Sequence, residues 1–94
     1  MKLRFTPRAA RDVMEIADYI RAENPPAAER VRSAILESLQ LLSEFPEIGR
    51  RQNVEGGRKH VSRKYGYLIY YAIDASADEI AILTIQHPAR EQPY

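Results

Sequence analysis

Two apolar runs in the second half of the chain predict the central strands of a sheet. Residues 67–74 are rich in aromatic and β-branched side chains, which pack well on a pleated surface. On one face of this run lie Ile69, Tyr71 and Ile73. Residues 80–85 repeat the pattern, and the short polar link at residues 75–79 predicts an antiparallel hairpin. Because the first run is apolar on both faces, we expect it inside the sheet and covered on at least one side.

The first half of the chain has the three-to-four-residue period of amphipathic helices. The first apolar stripe consists of Val13, Ile16, Ala17 and Ile20, and the second contains Ala28, Val31, Ile35, Leu39 and Leu42. Thr6–Pro7 and Asn24–Pro25 each supply an N-cap and a proline first position, and Phe45–Pro46 ends the second helix. A link of about three residues predicts a helical hairpin. We expect Tyr71 and Ile73 to pack on the second stripe.

The remaining segments complete the predicted fold. Residues 2–5 alternate polar and apolar and predict a short strand, and residues 58–62 predict a weaker one. Residues 47–57 have no period and contain three glycines, so they predict a loop. The predicted fold class is α+β: a strand, an antiparallel helical hairpin, then three mainly antiparallel strands (β-α-α-β-β-β), in a single domain over residues 1–94.

Composition excludes several classes of protein. The chain of 94 residues has no cysteine, which excludes disulfides and thiolate metal sites and is typical of a reducing cytosol. Two histidines alone make no transition-metal site, and we expect no cofactor. No apolar run approaches the roughly 18 residues that span a bilayer, and the N-terminus lacks an apolar signal core. We therefore expect a cytoplasmic protein without a membrane partner.

The net charge of +1 conceals a strong segregation of charge. Residues 49–66 carry six cations against Glu55, a local +5, so the rest of the chain sums to −4. Segregation of this kind indicates an anionic partner. The candidate target-binding residues are Arg50, Arg51, Arg58, Lys59, Arg63, Lys64 and Arg90. Since all seven lie outside the apolar stripes, we expect their substitution to leave the fold intact.

A histidine and an arginine follow directly on the last predicted strand. His87 and Arg90 are suited to act as a general base and an anion clamp. The structural alternative is that the histidine bonds to backbone and the arginine pairs with Glu91, and it is favoured because no second catalytic residue lies nearby in the sequence. His60 lies among cations, and we assign it no catalytic role.

Tyrosines interleave with the basic turn before the central strand. Tyr65 and Tyr67 are adjacent to Arg63 and Lys64, an arrangement that stacks bases in RNA-binding proteins. The alternative is that alternating tyrosines fill a small sheet with their hydroxyls at its edge.

Three segments in their order resemble the RelE/ParE superfamily of bacterial type II toxins over nearly the whole chain. They are residues 45–50 after the second helix, residues 67–71 in the central strand, and residues 82–90 in and after the last predicted strand. The segment with proline, glycine and arginine, and the closing His87-x-x-Arg90, resemble the ParE branch more than the RelE branch.

This resemblance implies one of two activities. ParE-like toxins inhibit DNA gyrase, block replication and arrest growth, without an established catalytic role. RelE-like toxins cleave mRNA in the ribosome through basic and aromatic side chains. For a ribonuclease the candidate catalytic residues are Arg63, Lys64, His87 and Arg90, with Tyr94 as an alternative C-terminal member.

Both branches imply a cognate antitoxin that suppresses the toxin in a hetero-oligomer. We expect it to cover apolar residues of the helical hairpin and to pair with an edge strand, at residues 2–5 or 58–62. The prediction is a gyrase inhibitor, and the alternative is a ribosome-dependent mRNA endoribonuclease. A third hypothesis, a non-toxic small interaction module, explains the core and leaves the concentrated cations without a role.

Overall fold

The computed structural model describes residues 1–90, without the side chain of Arg90. The strands are β1 (Lys2–Phe5), β2 (Arg50–Arg51), β3 (Gly57–Val61), β4 (Leu68–Asp74) and β5 (Glu79–Gln86). The helices are α1 (Pro7–Glu23) and α2 (Pro25–Glu44), and single 3-10 turns lie at Pro46–Ile48 and Pro88–Arg90. This order confirms the predicted α+β class. No helix among the described residues is both long and apolar enough to cross a membrane.

The five strands form one mixed sheet in the order β1-β5-β4-β3-β2. The predicted hairpin is present, since β4 and β5 pair antiparallel from Leu68 opposite Gln86 to Asp74 opposite Glu79. The first strand, β1, lies parallel to β5 at one edge. At the other edge, β2 pairs with β3 inside the stretch for which the sequence predicted a loop. A strand of two residues has no alternation that a sequence pattern can reveal.

The two helices form the predicted hairpin, with a connection shorter than expected. Asn24 alone links them, in an extended backbone conformation. Its N–H donates to the Ile20 carbonyl at 2.7 Å, and its Oδ1 accepts from the Ala27 N–H at 3.2 Å. One residue therefore ends α1 and begins α2, because its backbone and its side chain bond to different helices.

Two side chains near the N-terminus of α1, those of Thr6 and Asp12, bind that helix to β5. Thr6 accepts from the Ala9 N–H at 3.1 Å, as an N-cap does, and its hydroxyl lies 2.9 Å from the Ile82 carbonyl oxygen. Asp12 accepts from the Ile85 N–H at 3.1 Å and from the Thr84 hydroxyl. These bonds fix α1 against the point where the pairing of β4 and β5 is irregular.

The core lies between the helical hairpin and one face of the sheet. Tyr71 belongs to the same buried cluster as Val31, Ile35 and Leu39, which confirms the predicted packing. Ile73 is partly buried against this cluster. The fully buried members from the sheet include Ile69, Tyr71, Ile80 and Ile82.

Candidate target-binding surface

Four of the predicted cations come together on the edge strand β2 and on its neighbour β3. Arg50 is opposite Lys59, and Arg51 is opposite Arg58. Since Arg58 is also opposite the buried Tyr71, it shares the helix-covered face of the sheet. Alternation along the strands then puts Arg50 and Lys59 on the open face, where the Lys59 ammonium lies 5.9 Å from the centre of the Tyr70 ring.

Arg58 differs from the other cations because its guanidinium is bound to the protein itself. The side chain is half-buried, and Nη1 donates to the carbonyl oxygens of Glu47 at 2.9 Å and of Gly49 at 2.8 Å. We therefore expect its substitution to destabilise the fold, unlike the expectation from its place outside the apolar stripes. Its role in binding a target stays a prediction.

Tyr71 holds the same segment from the other side. Its hydroxyl donates to the Pro46 carbonyl at 2.6 Å and accepts from the Gly49 N–H at 2.9 Å. Burial raises the pKa of Tyr71, while the Gly49 N–H and the charge of Arg58 act in the opposite direction. The phenol therefore keeps the proton that it donates at neutral pH.

The close approach of Tyr71 also explains the glycine in this segment. A Cβ atom at position 49 would lie 2.7 Å from Cε1 of Tyr71, well inside van der Waals contact. Tyr71 and Arg58 thus fix residues 46–49, which lead from α2 into the basic strand β2. We refer to residues 46–49 as the clamped turn.

The second group of cations lies at the far end of β3. Arg63 and Lys64 are exposed in the turn between β3 and β4. The buried Ser62 closes this turn: its hydroxyl donates to the Lys64 carbonyl at 2.7 Å and accepts from the Tyr67 N–H at 2.8 Å. Tyr65 and Gly66 follow with φ of 67° and 66°, the left-handed backbone that reverses the chain.

The segment after β5 lies beside this turn, as antiparallel pairing of β4 and β5 requires. The rings of His87 and Tyr67 meet edge to face, with 5.5 Å between their centres, and a Cβ atom at Gly66 would lie 3.8 Å from Pro88. Tyr67 is buried and fills the sheet, whereas Tyr65 is exposed. The side chain of Arg90 and all of Tyr94 lie outside the described residues, so their predicted roles stay predictions.

The two histidines differ in surroundings. The Nδ1 atom of His87 accepts from the Ala89 N–H at 3.0 Å, so the neutral ring carries its proton on Nε2 and can donate from that atom. His60 is half-buried opposite Ile69, and burial lowers its pKa. Within residues 1–90 no three acidic or histidine side chains come close enough to hold a metal ion.

Two further concave surfaces involve α1. An apolar groove of about 380 Å³ runs between the helices, and it is lined by Phe5, Val13, Met14, Ala17, Ala28 and Leu36 among others. A more polar cleft of about 530 Å³ lies between α1 and the ends of β4 and β5, beside Arg8, Asp12, Glu15, Tyr67 and His87. Sequence reasoning missed the cleft. Its signal was the polar stripe of Arg8, Asp12 and Glu15 at helical spacing, which is also typical of a solvated helix face.

Two comparisons with known proteins agree that the chain is similar to bacterial toxins. A family model described as "ParE toxin of type II toxin-antitoxin system, parDE" matches residues 3–92. The chain is also 34% identical over 92 residues to "Putative toxin Y4kP" of Sinorhizobium fredii (strain NBRC 101917 / NGR234). This match covers 98% of the chain and 93% of that protein.

Solved structures of toxin–antitoxin systems have the same fold. The chromosomal ParDE system from P. aeruginosa superposes with a TM-score of 0.77 at 26% identity, covering 93% of this chain and 95% of that one. The toxin–antitoxin complex RelBE2 from Mycobacterium tuberculosis superposes with a TM-score of 0.63 at 25% identity, covering 92% and 95%. The predicted superfamily is confirmed, and the ParDE structure is the more similar of these two.

Proposed function

The chain belongs to the ParE family of type II toxin–antitoxin toxins, and we propose that it arrests growth by inhibiting DNA gyrase in the cytoplasm. The observation that carries this proposal is the ParE family match, which spans residues 3–92. The higher TM-score of the ParDE structure supports the same branch. We propose that the toxin binds gyrase without transforming a substrate, through the exposed cations of β2 and of the β3–β4 turn, together with the half-buried Arg58 and Lys59 of β3.

A ribonuclease of the RelE type is the second candidate, because the fold is shared with RelBE2 and because Arg63, Lys64 and His87 lie at the same end of the sheet. The geometry of His87 favours the gyrase proposal over this one. A general base needs a free lone pair, but Nδ1 already accepts the Ala89 N–H and Nε2 carries the proton of the neutral ring. The neutral ring of His87 is thus arranged to donate a hydrogen bond from Nε2.

The partner that neutralises the toxin is a cognate antitoxin, and we propose that it occupies the groove between α1 and α2. Met14 and Leu36 project from opposite walls of this groove, with 65% and 46% of their surface exposed. Phe5 lines the groove and also ends β1, the edge strand of the sheet. An apolar segment in the groove and a strand added to β1 would therefore be neighbours along one partner chain.

The decisive experiment compares the two activities of the purified toxin. The gyrase proposal predicts inhibition of gyrase supercoiling and no cleavage of mRNA on ribosomes, and the ribonuclease candidate predicts the reverse. Arg50→Glu and Arg63→Glu should weaken the gyrase effect and reduce its sensitivity to salt, since each removes a screened attraction. Arg30→Glu, an exposed cation of α2 outside the basic segment, is the matched control.

Two results would contradict these proposals. Purified toxin that leaves supercoiling unchanged and cuts mRNA would establish the ribonuclease instead. Toxin that has neither activity and does not arrest growth would favour the non-toxic interaction module. The groove is tested separately: Met14→Asp should escape neutralisation by the protein encoded in the adjacent reading frame while it still arrests growth.

A further inference from the structure

The cleft between α1 and the ends of β4 and β5 contains a tyrosine hydroxyl without a partner. Tyr67 lines this cleft, and only 3% of its surface is exposed. Within residues 1–90 its hydroxyl makes no hydrogen bond, and no fully buried side-chain oxygen lacks a partner there, so the hydroxyl must open into the cleft. Burial raises the pKa of Tyr67. The hydroxyl therefore keeps its proton at neutral pH and can donate a hydrogen bond to a ligand.

His87 supplies a second donor beside this hydroxyl. Its Nδ1 atom accepts the Ala89 N–H, so the neutral ring carries its proton on Nε2, and no residue of the described part accepts from that atom. His87 lines the same cleft as Tyr67, and the centres of the two rings are 5.5 Å apart. The sheet side of the cleft therefore presents two uncharged donors close together. A carbonyl oxygen, which has two lone pairs, can accept from both.

The helix side of the cleft presents acceptors instead. Glu15 is exposed on α1, lines the cleft, and forms no ion pair with another residue among positions 1–90. Asp12 also lines the cleft, and it bonds to β5 through Oδ2, which leaves Oδ1 without a hydrogen bond inside the described part of the chain. Ionised carboxylates only accept hydrogen bonds. A ligand that satisfies this wall must therefore carry an N–H or O–H group.

Charge and size limit the ligand further. Among the described residues that line the cleft, Arg8 is the one cation against two carboxylates, and this negative balance disfavours a phosphate or carboxylate ligand. The side chains of Ile16, Ile20 and Ile85 also line the cleft and suit an apolar body. The volume of about 530 Å³ lies in the range of small-molecule sites, which combine an apolar lining with a few polar groups. The cleft is therefore suited to a small uncharged ligand.

We propose that this cleft binds a small uncharged cyclic amide, whose carbonyl accepts from Tyr67 and His87 while the adjacent N–H donates to Glu15. The nucleobases uracil and hypoxanthine belong to this class, because each has a carbonyl beside an N–H on a planar ring. The site contains none of the residues assigned above to target binding. It is therefore independent of whether the toxin acts on gyrase or on mRNA.

The test titrates uridine and inosine into the purified full chain, followed by calorimetry and by the NMR signals of the histidine rings. We expect a dissociation constant of roughly 0.1–1 mM for such small ligands. The ring signals of His87 should shift, and those of His60, which does not line the cleft, should not. The matched control ligand is 3-methyluridine, which lacks the N–H and should bind about tenfold more weakly. Uridine monophosphate should also bind more weakly than uridine, because its phosphate meets the carboxylates.

Two variants place the ligand in the cleft. Tyr67→Phe should weaken uridine binding about fivefold and leave the melting temperature unchanged, because the lost hydroxyl has no partner within the described residues. Glu15→Ala should weaken binding to a similar extent. Tyr65→Phe and Glu37→Ala, which change exposed side chains outside the cleft, are the matched controls.

Three results would overturn the inference. They are no binding of either nucleoside up to about 10 mM, wild-type affinity in both cleft variants, and tighter binding of uridine monophosphate than of uridine, which would make the cleft an anion site. The assays need neither gyrase nor ribosomes, so failure here leaves the proposed function untouched, and failure of the gyrase proposal leaves this site untouched.

Discussion

Removing the hydroxyl oxygen of Tyr71 should destabilise the protein, because this one atom makes two hydrogen bonds to the clamped turn. Tyr71→Phe keeps the ring, which is fully buried, and deletes the hydroxyl that bonds to Pro46 and Gly49. Nothing else in the core has to move. The experiment therefore isolates the two hydrogen bonds that tie the clamped turn to β4.

The magnitude follows from what the hydroxyl leaves behind. Gly49 is buried, so its N–H loses its partner away from water, at a cost of about 1–3 kcal/mol. Pro46 is only half-buried, so its carbonyl can bond to water instead, and loss of its hydrogen bond to Tyr71 costs about 1 kcal/mol. The free energy of unfolding should therefore fall by about 2–4 kcal/mol, against roughly 5–14 kcal/mol expected for a domain of this size.

Equilibrium unfolding in urea measures this loss directly. With a slope of about 2 kcal/mol per molar urea, the midpoint should move down by about 1–2 M. Tyr65→Phe is the control, because its side chain is exposed, and it should change stability by no more than about 0.5 kcal/mol. A loss below about 0.5 kcal/mol in Tyr71→Phe would refute the assignment of the clamp.

Three further tests concern other parts of the fold, each by urea unfolding of matched variants. Ile69→Ala should lower the free energy of unfolding by about 2–4 kcal/mol, and Ile73→Ala should lower it clearly less, since Ile69 is fully buried and Ile73 is partly exposed. Equal losses in the two variants would contradict this packing. Arg58→Met should lower the free energy of unfolding by about 1–2 kcal/mol, because two carbonyls lose a charged donor. The control Arg63→Met should leave stability unchanged. An unchanged stability in Arg58→Met would show that the guanidinium is dispensable. Burial lowers the pKa of His60, so on acidification the unfolded chain takes up a proton near pH 6.5, before the folded chain does. The free energy of unfolding of the wild type should therefore decrease as the pH is lowered below 6.5, and it should decrease more than that of His60→Gln. Equal slopes of stability against pH in the two proteins would refute this reasoning.

The sequence predicted those features that extend over many residues. The stripes of both helices and the alternation of β4 and β5 repeat often enough to define their elements. The caps at Thr6 and Asn24 were also predictable, because a cap bonds to residues a few positions away. The family resemblance came from the order of such elements.

The details of the binding surface depend on contacts that no local pattern records. Tyr71 bonds to residues 22 and 25 positions earlier, and a tyrosine in a strand has the same local signature whether its hydroxyl is bound or free. Arg58 and Arg63 were equivalent in the sequence, yet one holds the clamped turn and the other is exposed.

The parallel pairing of β1 with β5 has a consequence for how the toxin is made. Lys2 at the start of the chain pairs with Glu79 near its end, and Phe5 pairs with Ile82. Contacts between such distant positions form late, because a long loop must close before they contribute. A nascent chain therefore cannot complete its sheet until β5 has left the ribosome. Until then both β1 and the β4 edge that β5 will cover stay open to other strands, and a partner already present during synthesis would meet the toxin in this unfinished state.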